Sequence, residues 1–121
     1  FLRALSDLFR ENTIFVGIDK NKRMTKFGEL IGSKTPTLID FYKDWEDDRN
    51  NLHSVLRDVA AALGDKAKVV KIDISKNETL AAALRIKGNP TFIIYKDGEM
   101  KWRQTGQQDA NTLISLVEQY V

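Results

Sequence analysis

Charged side chains crowd one short stretch, where Asp44, Glu46, Asp47, Asp48 and Arg49 surround Trp45. Carboxylates that close together have two possible uses: general acid–base transfer, or binding of a hard cation such as Ca²⁺ or Mg²⁺ through oxygen. The acids follow no ligand spacing, and the alternating acids and turn glycine of a calcium loop are absent. They stand instead at the start of an apolar stripe with helical spacing. Acids there satisfy free backbone N–H groups and complement the helix dipole, by about 0.3–1 kcal/mol each, and Arg49 is close enough to neutralise one. Glu46 in that setting has a lowered pKa and is a poor base near neutrality.

The remaining chemistry is defined by what is missing. The 121 residues contain no cysteine and one histidine, His53. Without a thiol there is no disulfide, no sulfur nucleophile, no thiol redox cycle and no Cys-ligated zinc. A single histidine leaves no His-pair metal site and argues against a Ser-His-Asp triad. It lies off the stripe of Leu52, Val55 and Leu56 and reads as a surface side chain. Asp40 is more informative. It interrupts an otherwise apolar segment, TLIDFY at 37–42, that reads as a strand covered on both faces. Burial there disfavours the charged carboxylate and raises its pKa.

The elements that position these residues follow from composition and pattern. At 42% apolar and 30% charged, with seven Gly and two Pro, the chain is neither disordered nor of low complexity. Its length fits one domain with a core of its own. A net charge of +2 is too mild to imply nucleic acid, and no apolar run reaches the length of a transmembrane helix. The chain reads as soluble, cytoplasmic or exported. Because it begins at Phe1, it is expected to be a processed product or an excised piece. Residues 1–10 repeat apolar side chains on one helical face, so residues 1–12 are expected to form an N-terminal helical extension. Residues 13–121 form the main domain.

Residues 13–18 read as a strand, 19–26 as a solvated basic loop, and the next stretch as a short helix with Phe27, Leu30 and Ile31 inward, stopped at Gly32. A helix over 47–63 and a strand over 69–74 follow TLIDFY. Ser75 and Glu78 match a capping box for a helix over 76–86, with Leu80, Ala83 and Leu84 inward. Residues 91–95 form a strand, and Asp97-Gly98 a tight hairpin turn into a return strand at 100–105. Asp109 caps a last helix with Ala110, Leu113, Ile114, Val117 and Tyr120 inward. Early strands separated by helices predict parallel pairing, and the closing hairpin makes the sheet mixed.

At this point the chain resembles the thioredoxin-like family. Asp40-Phe41-Tyr42-Lys43-Asp44-Trp45 is similar to its Asp-Phe-aromatic-x-x-Trp strand end. Gly88-Asn89-Pro90-Thr91 is similar to its Gly-x-Pro-Thr turn, whose proline is cis in the family. The hairpin at 96–99 and Gly106 after the last strand fit in order and spacing. The resemblance is strongest from about Thr35 to the end of the chain. It implies a thioredoxin-like α/β fold, a mixed central sheet flanked by helices, here with the additional N-terminal helix.

One departure is decisive. After Trp45 the family places Cys-x-x-Cys, whereas here the degenerate positions are Glu46, Asp47, Asp48 and Arg49. A helix proline of the family is replaced by Ser54, so a straighter helix is expected. The resemblance pairs Asp40 with Lys71 as a buried structural pair. It also implies a shallow groove lined by Trp45, Asn89, Pro90, Gly106 and Gln107, where an extended peptide adds as a strand, a mode that needs no sulfur. Trp102 on the outer hairpin strand is either a second exposed contact or core-edge packing. The expected function is a redox-inactive module that binds a protein or peptide, with no cofactor, no metal and no catalytic residue. The alternative is a non-thiol enzyme or hard-cation site using Glu46, Asp47 and Asp48.

Overall fold

Every residue of Thr37–Tyr42, the first strand (β1), is buried. β-branched, aliphatic and aromatic side chains fit a pleated surface covered on both faces, and the whole fold is arranged around this strand. The computed structural model describes residues 20–43 and 48–121, with side chains over 26–43 and 54–121. The expected helix at 1–10 and strand at 13–18 lie outside the described residues.

The described elements are α1 (Lys20–Ile31), β1, α2 (Asp48–Leu63), a short 3-10 turn (Gly64–Lys66), β2 (Lys68–Asp73), α3 (Glu78–Ala83), β3 (Thr91–Lys96), β4 (Glu99–Thr105) and α4 (Ala110–Glu118). The strands order as β2-β1-β3-β4. β1 and β2 pair in parallel, as expected of strands joined through a helix. β3 also follows a helix, yet it runs antiparallel to β1 and then turns into antiparallel β4.

Alternation along β1 divides the core between the two sheet faces. Leu38, Phe92 and Ile94 pack with Leu56, Val59 and Leu63 of α2 and with Leu113 and Val117 of α4. Ile39, Phe41, Val70 and Ile93 pack on the other face with Phe27, Leu30 and Ile31 of α1 and with Leu80 and Leu84 around α3. The Phe27 and Tyr95 rings meet edge to face at 5.8 Å. Trp102 is half-buried against the first cluster, so it is core-edge packing. α2 runs unbroken through Ser54.

Two local expectations hold through identifiable bonds. Asp97 and Gly98 adopt φ of 55° and 81°, as a tight hairpin requires. The Asp109 carboxylate accepts the Thr112 N–H at 2.7 Å, capping α4.

Two others are corrected. The basic stretch expected to be a loop is helical from Lys20 onward. Lys, Arg and Met are good helix formers, and the helix is anchored further on by Phe27, Leu30 and Ile31. The capping box does not form: Asn77 stands at the N-cap of α3 with no side-chain cap bond. Asp73 takes the Ser75 hydroxyl instead, at 2.6 Å, together with the Ser75 N–H at 2.8 Å. α3 is consequently shorter than expected and buries Ala81, whereas Ala83 is exposed.

α3 ends with Ile86 N–H donating to Ala81 O and Arg85 N–H to Ala82 O, the paired bonds of a Schellman stop. The left-handed residue of that stop is Arg85, at φ 55°. A side chain there strains the backbone that glycine adopts freely. Arg85→Gly should therefore stabilise the fold by about 0.5–1 kcal/mol, read as a higher urea midpoint at unchanged m. A lowered midpoint would show that the Arg85 side chain outweighs the strain.

Candidate functional site

β3 begins where β4 ends, with Thr91 opposite Thr105. That register brings the loop before β3 against the loop after β4. Gly106 N–H donates to Pro90 O at 2.8 Å. Gly106 sits at φ 107°, a conformation that L side chains rarely adopt. The Asn89–Pro90 peptide is cis. Asn89 and Gln107 are exposed, while Pro90 and Gly106 are partly buried. Among the described residues, neither Asn89 nor Gln107 makes a backbone hydrogen bond. Four of the five expected groove residues therefore share one rim, with polar backbone left over at its two outer members.

The rim rests on the residues beneath it. The Thr91 hydroxyl donates to Gly88 O at 2.7 Å and lies 3.2 Å from the Thr105 hydroxyl. A Cβ at residue 88 would come within 2.6 Å of Thr105 Cγ2, so only glycine passes there without a shift. Arg103 ties the end of α3 to β4, donating to Leu84 O at 2.7 Å and to Arg85 O at 2.8 Å. The dependence of Gly88 on Thr105 and the role of Arg103 were not visible in the sequence. The glycine was noticed as part of a motif, but its reason lies on another strand. Nothing local marks Arg103 as different from any strand-edge arginine.

Asp40 sits behind this region in mid-β1, fully buried, with Lys71 opposite it on β2 and Phe92 opposite it on β3. Among the described residues neither carboxylate oxygen has a hydrogen-bond partner. Desolvation holds its pKa well above the usual carboxylate range, and the positive charge of Lys71 opposes only part of that rise. Lys71 is partly buried. The two are neighbours in register and coupled through charge, without a hydrogen bond to the carboxylate.

Trp45, Glu46 and Asp47 lie outside the described residues, as do the side chains of Asp48 and Arg49, which open α2, and of His53. Among the described residues no three His, Asp or Glu side chains gather as a metal site would require, and no helix is long and apolar enough to cross a membrane.

Comparison with known proteins places the fold. A protein-family model described as thioredoxin matches residues 18–119. A chloroplastic thioredoxin Y of Oryza sativa is 39% identical over 100 residues, covering 82% of this chain and 60% of its own. A thioredoxin-like protein of Synechocystis is 33% identical over 101 residues, covering 83% of this chain and 96% of its own. The chain spans 52–60% of the length of the chloroplastic thioredoxin Y relatives from rice and Arabidopsis. Among solved structures, a mutant thioredoxin of Halobacterium salinarum superposes with a TM-score of 0.70 at 33% identity, covering 79% of this chain and 83% of that one. A chloroplastic thioredoxin z superposes with a TM-score of 0.70 at 29% identity, covering 85% and 90%.

Proposed function

We propose that this chain, which belongs to the thioredoxin family, binds an extended protein segment at the rim formed by Asn89, Pro90, Gly106 and Gln107. The carrying observation is that the rim is assembled, with backbone at Asn89 and Gln107 left unpaired among the described residues, in a chain without cysteine. Thiol–disulfide exchange begins with attack by a thiolate, and this chain has none to offer. Strand addition draws its affinity from main-chain hydrogen bonds and uses what remains. Trp45 completes the proposal as the apolar platform beside the rim. Asp40 and Lys71 are the support behind it.

The test is titration of isotope-labelled protein with a library of cysteine-free extended peptides. Amide signals of Asn89, Gly106 and Gln107 should move. Trp45→Ala should weaken binding by about tenfold, the scale on which a buried aromatic anchor contributes, while Glu46→Gln leaves it unchanged. Shifts confined to other surfaces would sink the rim assignment. Disulfide reduction catalysed by the purified chain would overturn the non-thiol reading. Activity lost only on Glu46→Gln would favour the carboxylate chemistry.

A further inference from the structure

The charge of this molecule is unevenly placed. Residues 20–31 and 75–87 carry seven Lys or Arg against two Asp or Glu, a balance of +5, whereas the whole chain carries +2. The rest is therefore net −3. These two segments are α1, and α3 with its flanking turns. They share one face of the sheet, because Phe27, Leu30 and Ile31 pack in the same apolar cluster as Leu80, Leu84 and Ile86. The opposite face, covered by α2 and α4, carries two Arg against three Asp or Glu. Lys26, Lys76, Arg85 and Lys87 are exposed on the positive face, with Glu29 and Glu78 as its two acids.

We infer that this face docks an acidic protein surface, one rich in Asp and Glu. A local excess of like charge raises the free energy of the isolated surface and is relieved by a partner of opposite sign, which it also steers into contact. The occupant is chosen by what else the face offers. Among the described residues the aromatic side chains of this face, Phe27, Phe41 and Tyr95, are buried, so none of them offers a platform on which single-stranded bases could stack. Among the described residues the exposed large apolar side chains are Met100 and Val121, neither of them on α1 or α3, so these helices offer no described apolar side chain to insert into a bilayer. Exposed ammonium and guanidinium groups without an apolar wedge suit carboxylates on a protein. This surface meets the proposed peptide rim at Lys87, two residues before Asn89, and Lys26→Glu alone, on α1, separates the two readings.

The experiment measures binding of the chain to polyglutamate, to vesicles of phosphatidylserine and phosphatidylcholine, and to a mixed-sequence RNA, each at low and at raised salt. Polyglutamate should bind best and weaken steeply as salt screens the contact. Lys26→Glu with Lys87→Glu should reduce its binding by about tenfold. A charge-matched control on the rest of the surface, Arg57→Glu with Lys66→Glu, should change it by less than about twofold. Circular dichroism of both double variants establishes that they fold, and the pair Lys26→Gln with Lys87→Gln repeats the comparison with neutral side chains. Equal losses in the two double variants would mean that net charge, not this face, drives binding. Tighter binding to vesicles or RNA, or no binding to polyglutamate at low salt, would likewise overturn the inference.

Discussion

Replacing Asp40 by leucine, its closest apolar match in shape, should stabilise the protein by about 1 kcal/mol near pH 8, the low end of the range for replacing a whole buried ion pair, since the Lys71 left behind is only partly buried. The reason is the position of the carboxylate: no exposure, no hydrogen-bond partner among the described residues, and a lysine that opposes only part of the desolvation. The sign with pH follows from the raised pKa. In the unfolded chain Asp40 loses its proton in the ordinary range near pH 4, while in the folded chain it keeps it to higher pH. Between those two values the folded state holds more protons, so stability from this group falls as pH rises. Above the folded value the penalty is constant, and below about pH 3 it vanishes because both states are protonated.

Asp40→Asn isolates this term, since a neutral amide replaces a group of the same shape. Urea melts of the wild type and Asp40→Asn should agree near pH 3 and diverge in favour of the variant as pH rises. Lys71→Ala should act oppositely at high pH, because it removes the charge that offsets part of Asp40's desolvation. A difference that does not depend on pH, or an Asp40→Asn chain less stable than wild type at pH 8, would show that the carboxylate is solvated or paired in solution.

Gly88→Ala should cost about 1–3 kcal/mol, the usual penalty for forcing a methyl into a packed contact, and should displace the loop that presents Asn89. The new Cβ would lie 2.6 Å from Thr105 Cγ2. Thr105 cannot simply turn away without disturbing its hydroxyl contact with Thr91, which in turn holds Gly88 O. Thr105→Ser deletes the offending methyl and keeps the hydroxyl. The double variant should therefore recover most of the lost stability, and peptide binding at the rim should return with it. Melting temperatures of the two single variants and the double close a mutant cycle. Additive effects, with no recovery in the double, would rule out this contact as the reason for glycine.

Much of the fold was legible because short-range preferences and apolar periodicity carry it. The continuous apolar run of TLIDFY, the stripe of α2 over its described side chains, the Asp-Gly turn and the Asp109 cap each rest on residues a few positions apart, and each formed as read. Errors came where two local signals competed. The charged first half of α1 resembled a solvated loop, although its residues are good helix formers and Phe27 anchors them. Ser75 had the pattern of a helix cap, but Asp73 lay within its reach and took its hydroxyl and N–H. In the candidate site, Asn89-Pro90 and Gly106-Gln107 are singled out by the resemblance to the thioredoxin-like family. Their union through the bond between Gly106 and Pro90 required β3 and β4 to be paired in one register.

The amino-acid sequence by itself determined that this chain has no sulfur to attack a disulfide, because atoms that are not encoded cannot be supplied by folding. It also determined which segments become strands and helices wherever one pattern ran unopposed. Only the tertiary structure decided the rest: the direction of β3, the desolvation of Asp40, the lack of room beside Gly88 and the gathering of cations on one sheet face. Each depends on side chains far apart in the chain being brought to contact distance, and both desolvation and steric exclusion act only at that range.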